Sequence, residues 1–502
     1  MPPDHLPAAP DVFAALPPPR PDDPRLRRSI REMRAADAVL LGVLDDDPTG
    51  SQAVHGVQVV TAGDEDVYAA ALAGPAATCF VLTNTRSLAA PAASQLTRHV
   101  ARGLLGAARR VAPGGRRGTA GRSARIQLIS RSDSTLRGHL MAEVEALQAV
   151  RREVTGAGFD GVLLIPAFIE AGRLTAADIH WARTAAGLVP VGETEFARDA
   201  AFGYTPSDLK EFVSEKSGGA ISPGNVRSMS LDDIRCGGPD RLGELLAGIA
   251  DGAWVVVNAT EYSDLETVAY AVLLAERGGK TFGFSTGPSF VRAMAGLEPK
   301  PPLRGAELRP QRPGPAVNGL IVAGSHVAQT SRQLAVLRAE HRITGVELDV
   351  PAVLSGADAG RVVADAARAA TDALSHADVL LYTSRAVELG SSPEDSLSVG
   401  RAVSAALAGV VRQVVSGSPG GPAWIVAKGG ITAHDVAVHG LGIRRAEVAG
   451  QLFPGMISVF RPLDAALAIG VPYVVFPGNV GDDATLAQVV QIMNAAGAPP
   501  AR

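Results

Sequence analysis

Short, continuous apolar runs recur along the first three hundred residues, and each ends abruptly in polar residues or glycine. They lie at 38–44 (AVLLGVL), 77–87 (ATCFVLTNTRS), 124–134 (ARIQLISRSDS), 159–168 (FDGVLLIPAF) and 252–262 (GAWVVVNATEY). Runs of this length without alternation predict strands buried on both faces. Helix-like stretches of Ala, Leu, Glu and Arg separate them, beginning with Arg25 to Ala36. Strands alternating with helices predict a parallel sheet with right-handed crossovers. The rhythm restarts with GLIVAGS at 319–325, DVLLYTS at 378–384, PAWIVAKGG at 422–430 and VPYVVFPGN at 471–479.

Prolines mark the boundaries. Nine fall in the first 24 residues and six between Pro299 and Pro315. Proline suits neither helix interiors nor central strands. Residues 1–24 are therefore expected to form an extended arm, with an unattached tail as the alternative. Residues 299–315 read as a linker between domains at 25–298 and 316–495. The 502 residues, 46% hydrophobic and 20% charged, exclude wholesale disorder. A net charge of −4 argues against a nucleic-acid partner. The two cysteines, Cys79 and Cys236, exclude a disulfide framework or a cysteine-rich zinc site. No apolar run is long enough to span a bilayer and no secretory signal is evident, so a cytoplasmic protein without a membrane partner is expected.

Ligands of parallel sheets sit at the carboxyl ends of the strands, so the polar residues closing these runs are candidates for one site. Asp45, Asp46 and Asp47 follow the first run. Three carboxylates there repel one another unless magnesium, a substrate hydroxyl or an arginine offsets them. An exposed acidic helix cap is the bland alternative. In SRSDSTLRGH at 130–139, Arg131 and Arg137 can clamp a carboxylate or phosphate. Asp133 between them can accept a hydroxyl proton. Helix capping alone does not call for Arg-x-Asp-x-x-x-Arg. Arg86 ends another run. In the second half, glycine turns at Gly324-Ser325-His326, Lys428 to Thr432 and Phe476 to Gly481 follow successive strands. Such junctions present free backbone N–H groups, and three together predict a phosphate-binding floor. Gly279-Lys280-Thr281 is not a P-loop, since Leu274 stands where its first glycine belongs. The basic, glycine-rich loop at 109–125 reads as a solvated connection.

DDDPTGS at 45–51, SDSTLRG at 132–138, AGSHVAQTSRQL at 323–334, KGGIT at 428–432 and PGNVGD at 477–482 together resemble the four-carbon acid sugar kinase family. The resemblance implies an α/β protein of two domains with largely parallel sheets. An N-terminal sugar-acid-binding domain and a C-terminal nucleotide-binding domain would share an active site in the cleft between them. It further implies ATP and Mg²⁺ as cofactors, and phosphorylation of a hydroxyl of a tetronate, 3-oxo-tetronate or related aldonate. The expected catalytic residues are Asp133, as base, and Asp47. Asp46, Arg86, Arg131 and Arg137 would bind the acid. Gly324, Ser325, Gly429, Gly430, Thr432, Gly478 and Asn479 would bind the nucleotide, and Asp46 or Asp47 could take the metal. Expected partners are the acid and ATP alone, with a homodimer as the assembly to test. The chain has Lys-Gly-Gly-Ile-Thr where the family usually has Ala-Gly-Gly-Glu/Asp-Thr, and Phe476 where a lysine usually precedes the late glycine turn. A non-catalytic sensor of sugar acid and nucleotide is the alternative function.

Overall fold

In the computed structural model, which describes residues 8–47, 49–61, 63–111, 124–311, 318–324, 327–355, 358–384, 393–418 and 420–497, the first apolar run becomes β1 (Val39–Asp45), buried along its whole length. Helices Pro24–Ala36 and Ala90–Arg110 both pack on it, which is why no polar face alternates along the strand. The next strands are β2 (Gln58–Val60), β3 (Thr78–Leu82), β4 (Arg125–Arg131) and β5 (Gly161–Ile165). A separate antiparallel sheet follows, made of β6 (Arg173–Ala176), β7 (Ile179–Thr184) and β8 (Gly187–Pro190). Then come β9 (Arg227–Met229), β10 (Ala253–Val257) and β11 (Phe282–Thr286). Within the unit Met1–Pro299, the large sheet runs β2-β3-β1-β4-β11-β5-β10-β9 with every pairing parallel. After β1 the chain lays down β2 and then β3 on one side, β3 next to β1, and crosses to β4 on the other. The order therefore reverses between β1 and β4, and a crevice at their carboxyl ends is the place for a ligand.

The proline-rich arm departs from the expectation of an extended segment. Over its described residues it begins with a helix, Ala9–Ala14, because Pro10 falls in the first turn, where the missing N–H costs nothing. Val12 is buried, and Phe13 meets Trp181 edge-on with ring centroids 5.8 Å apart. Farther on, Asp22 pairs with the buried Arg27, which also reaches Glu266 and Glu298.

The unit Lys300–Arg502 contains β12 (Leu320–Ala323), β13 (Ile343–Leu348), β14 (Asp378–Thr383), β15 (Ile425–Lys428), β16 (Ile443–Phe453), β17 (Ile457–Ala465) and β18 (Tyr473–Phe476). The order β13-β14-β12-β15-β18 is parallel, and β17 and β16 extend it antiparallel. Here too the order reverses, between β12 and β15. The stretch expected as a linker is, over 300–311, packed into this unit. Leu303 and Leu308 are buried in its core with Trp424 and Phe476, and the Leu303 N–H donates to the Gln451 carbonyl at 2.8 Å. Residues 312–317 lie outside the described residues, as does 112–123 of the basic loop. Leu303→Ala is expected to destabilise this unit by about 2–5 kcal/mol, the cost of emptying a well-packed leucine site. A urea titration checks it, and a cost near zero would mean that 300–311 does not hold on to the core. No helix among the described residues is long and apolar enough to cross a membrane.

Candidate functional site

At the reversal in the N-terminal sheet, β1 delivers Asp45, Asp46 and Asp47 beside the residues that follow β4. Strand register sets Asp45 directly across from Arg131. The Arg131 guanidinium donates to Asp45 Oδ1 and lies 3.4 Å from Asp46 Oδ1. Arg86 arrives on the short turn Thr85–Ser87 after β3. Its Nη2 donates to Asp47 Oδ2 at 2.6 Å, its Nε lies 3.1 Å from Asp46 Oδ2, and its Nη1 is 3.7 Å from Asp133 Oδ1. One guanidinium thus gathers Asp46, Asp47 and Asp133. Glu143, which the sequence reading missed, braces this arrangement from the first turn of helix Leu140–Thr155. Buried, it accepts from Thr85 Oγ1 and Ser130 Oγ, both at 2.6 Å, and so ties the end of β3 to the end of β4.

Asp133 opens the loop between β4 and that helix. It accepts from Arg137 Nε at 2.7 Å and from Thr135 Oγ1. The small sheet and the segment after it hold the loop from outside. His180 Nε2 meets the Ser134 carbonyl at 2.8 Å, and the Tyr204 hydroxyl donates to the Thr135 carbonyl at 2.6 Å. Burial lowers His180 to about 4, so its ring is neutral and serves only as a hydrogen-bonding prop. Gly138 has φ +124°, and a Cβ there would sit 3.1 Å from Asp46 Oδ2. That combination of backbone and space admits only glycine comfortably.

Electrostatics divides the carboxylates into two classes. Burial pushes Asp45 up to about 6 and Asp46 well above the ordinary range, despite Arg131 and Arg86. Burial also acts on Asp47 and Asp133, but there the arginines prevail and both lie below the usual value. Side-chain exposure follows the same division: 1% for Asp46 and 0% for Asp45, against 29% for Asp47 and 12% for Asp133. Arg131 is 4% exposed. Asp46 and Arg131, expected to touch the acid, are thus buried beneath the two ionised carboxylates. Both Asp46 oxygens lack a hydrogen bond, yet the groups facing them are guanidiniums. Asp47 is likewise occupied, with Thr49 N and Oγ1 both donating to its Oδ1 at 2.8 Å. No group of three or more His, Cys, Asp or Glu among the described residues is arranged to hold a metal ion. A donor set faced by cations does not fit Mg²⁺, so the acidic turn is not read as a metal site.

In the C-terminal unit the expected nucleotide residues lie at the carboxyl ends of β12, β15 and β18, across the reversal between β12 and β15. A Cβ on Gly324 would be 2.6 Å from Thr432 Oγ1, so these two turns touch. Gly429 has φ +109°, and its N–H donates to the Phe476 carbonyl at 2.8 Å. Gly430 starts the short helix Gly430–Asp435, in which Thr432 is buried. Lys428 Nζ donates to the carbonyls of Pro477 (2.7 Å) and Gly478 (3.0 Å), and Thr330 Oγ1 also donates to Gly478 (3.3 Å). With these carbonyls held inward, the turn that carries Gly478 and the exposed Asn479 is fixed from below. Ser325 lies outside the described residues. Gly324 and Thr432 are brought together, and Gly429 and Gly478 lie on the turns that close β15 and β18; the Gly429 N–H is taken up by the Phe476 carbonyl and is not one of the free donors expected there.

Residues 41–294 match the profile of a sugar-binding N-terminal domain, and residues 320–486 that of a nucleotide-binding C-terminal domain. No curated protein matches the chain. Among solved structures it is similar to a Salmonella typhimurium LT2 protein provisionally described as a tRNA synthase, with TM-score 0.62 and 16% identity over 90% of this chain and 98% of that one. It is also similar to a Haemophilus influenzae protein from a family of unknown function, with TM-score 0.58 and 15% identity over 90% of this chain and 99% of that one. Identities this low speak for a shared fold. The two domain profiles say more, since they fall in sequence on the two units: the chain belongs to the four-carbon acid sugar kinase family.

Proposed function

We propose that the protein is an ATP-dependent kinase that phosphorylates a hydroxyl of a short sugar acid, such as a tetronate, a 3-oxo-tetronate or a related aldonate. The observation that carries this reading is the content of the two sheet reversals. One presents ionised, arginine-braced carboxylates in the sugar-binding domain. The other presents glycine turns in the nucleotide-binding domain. Phosphoryl transfer depends mainly on positioning and charge stabilisation. Asp133 takes the proton of the acceptor hydroxyl. That oxygen bonds to the γ-phosphorus of ATP as the bond to the β,γ-bridging oxygen breaks, leaving ADP. Asp47, oriented by Thr49 and Arg86, holds a second hydroxyl of the acid. Neither domain carries both sets of groups, so turnover needs the whole chain. On this reading the protein works in the cytoplasm, where ATP is at hand and its two free cysteines stay reduced.

ADP release coupled to a spectrophotometric assay, over a panel of tetronates, 3-oxo-tetronates and longer aldonates, tests the reading. At least one acid is expected to drive ADP release well above the acid-free rate. Tight acid binding with no ADP release from any member would make the protein a sensor instead.

A further inference from the structure

The arginines gathered around Asp133 are nearly all matched by carboxylates. Arg131 faces Asp45 and Asp46; Arg86 faces Asp46, Asp47 and Asp133; Arg137 faces Asp133 and, at 3.7 Å, Asp199. Arg173, the first residue of β6, is different. Its Nη1 donates to the carbonyls of Ala171 (3.1 Å) and Arg183 (3.2 Å), which fixes the plane of the guanidinium. The guanidinium lies over the Phe196 ring, 5.3 Å from its centroid, and Arg137 lies 5.2 Å from the same centroid. Its Nε is buried without a hydrogen-bond partner, and among the described residues no carboxylate pairs with it. Burial depresses its proton affinity, the Asp133 carboxylate opposes that effect, and Arg137 adds to it. Two guanidiniums held against one ring repel each other, and an anion placed beside them would relieve that repulsion.

The free edge of Arg173 defines which anion. With Nη1 engaged by two carbonyls, the Nε and Nη2 donors remain, a parallel pair that matches the two oxygens of a carboxylate. We propose that Arg173 receives the carboxylate of the sugar acid, and that the wall formed by Arg173, Phe196 and Arg137 selects an acid over the neutral sugar alcohol of the same length. This rests on the kinase reading above. Phe196, Asp199 and Tyr204, on the chain after β8, hold this wall and the Asp133 loop in place.

The full-length protein, Arg173→Gln and Arg173→Lys are compared for kcat, for KM of ATP, and for KM of a tetronate and of the matching tetritol. Calorimetric titration of the tetronate without ATP and a melting curve accompany the kinetics. Arg173→Gln is expected to raise the tetronate KM and Kd by about tenfold or more, the scale of a charge-assisted hydrogen-bond pair. It should leave the KM for ATP and the kcat at saturating acid nearly unchanged, and remove the preference for tetronate over tetritol. Arg173→Lys, which keeps a charge but not the paired edge, is expected in between. If Arg173→Gln melts early, Arg173→Lys decides, since its ammonium can still reach the Ala171 and Arg183 carbonyls. A wild-type protein that binds tetronate but releases no ADP removes the kinase reading alone. If the wild type binds another acid of the panel rather than tetronate, that acid and its alcohol replace the tetronate pair. Acid bound equally well by wild type and both variants overturns the assignment of Arg173 alone, and a wild type that binds no acid of the panel overturns both.

Discussion

Asp133→Asn is expected to lower kcat by about 100-fold or more while the sugar acid still binds, the usual scale for losing a general base. The side chain is held from several sides, by Arg137 Nε at 2.7 Å, by Thr135 Oγ1 and, at 3.7 Å, by Arg86. An asparagine fits the same space and keeps one oxygen for those donors, so the loop should survive. What is lost is the negative charge that accepts the hydroxyl proton. Burial works to raise the Asp133 pKa, but Arg86 and Arg137 hold it below the ordinary value. The base is therefore already ionised at neutral pH, and its own acidic limb should lie below the ordinary carboxylate range. A limb near pH 6 would point to Asp45 instead, which burial raises to about that value. Asp47→Asn should mainly raise the KM for the acid. If Asp133→Asn retains kcat while Asp47→Asn abolishes it, the two roles exchange.

The strands that position these residues were legible because each is a continuous apolar run closed by polar residues, and the two reversals of strand order follow once the pairings are known. The small sheet β6–β8 was not. Its first turn is Ala177-Asp178, and both residues have positive φ, +54° and +62°. Such a turn normally announces itself with Asn-Gly or Asp-Gly. Here the conformation is held by tertiary contacts instead, with Asn258 Nδ2 and Ser228 Oγ donating to Asp178 Oδ1 and Lys210 pairing with its other oxygen at 2.8 Å. Arg173 sits on this sheet, so it was invisible for the same reason. Glu143 gave only a helix-face pattern, and nothing in one sequence tells a buried brace from a solvated glutamate. The long β16–β17 hairpin was missed as well, although Pro454-Gly455 marks its turn. Residues 300–311 misled because proline content argues for irregular backbone, whereas Leu303 and Leu308 decide where that backbone packs.

Two departures from the family pattern, a lysine in KGGIT and a phenylalanine before the late glycine turn, prove to be neighbours. Lys428 ends β15, Phe476 ends β18, and the two are partners in register. The lysine missing before the turn at 477–478 is thus supplied from the adjacent strand. Its Nζ donates to both carbonyls of that turn and lies 4.0 Å from the Phe476 ring centroid. Lys428→Met fills a similar volume but leaves the Pro477 carbonyl without its donor, at about 1–3 kcal/mol, and the Gly478 carbonyl with Thr330 alone. The turn should loosen, and the KM for ATP should rise about tenfold or more with little change in acid binding. A second signature separates this from a general loss of packing. Burial lowers Lys428 to about 7, from 10.5 when free. Between those values the unfolded chain holds a proton that the folded one has released, so the wild type should gain stability as pH rises from about 7 to about 10.5, by a few kcal/mol over the whole span, and gain none from this residue below 7. Methionine cannot titrate. The difference in urea midpoint between wild type and Lys428→Met should therefore shift in favour of the wild type across that interval. Identical pH slopes in the two proteins would show that Lys428 keeps its proton, its charge held by the Pro477 and Gly478 carbonyls against the cost of burial.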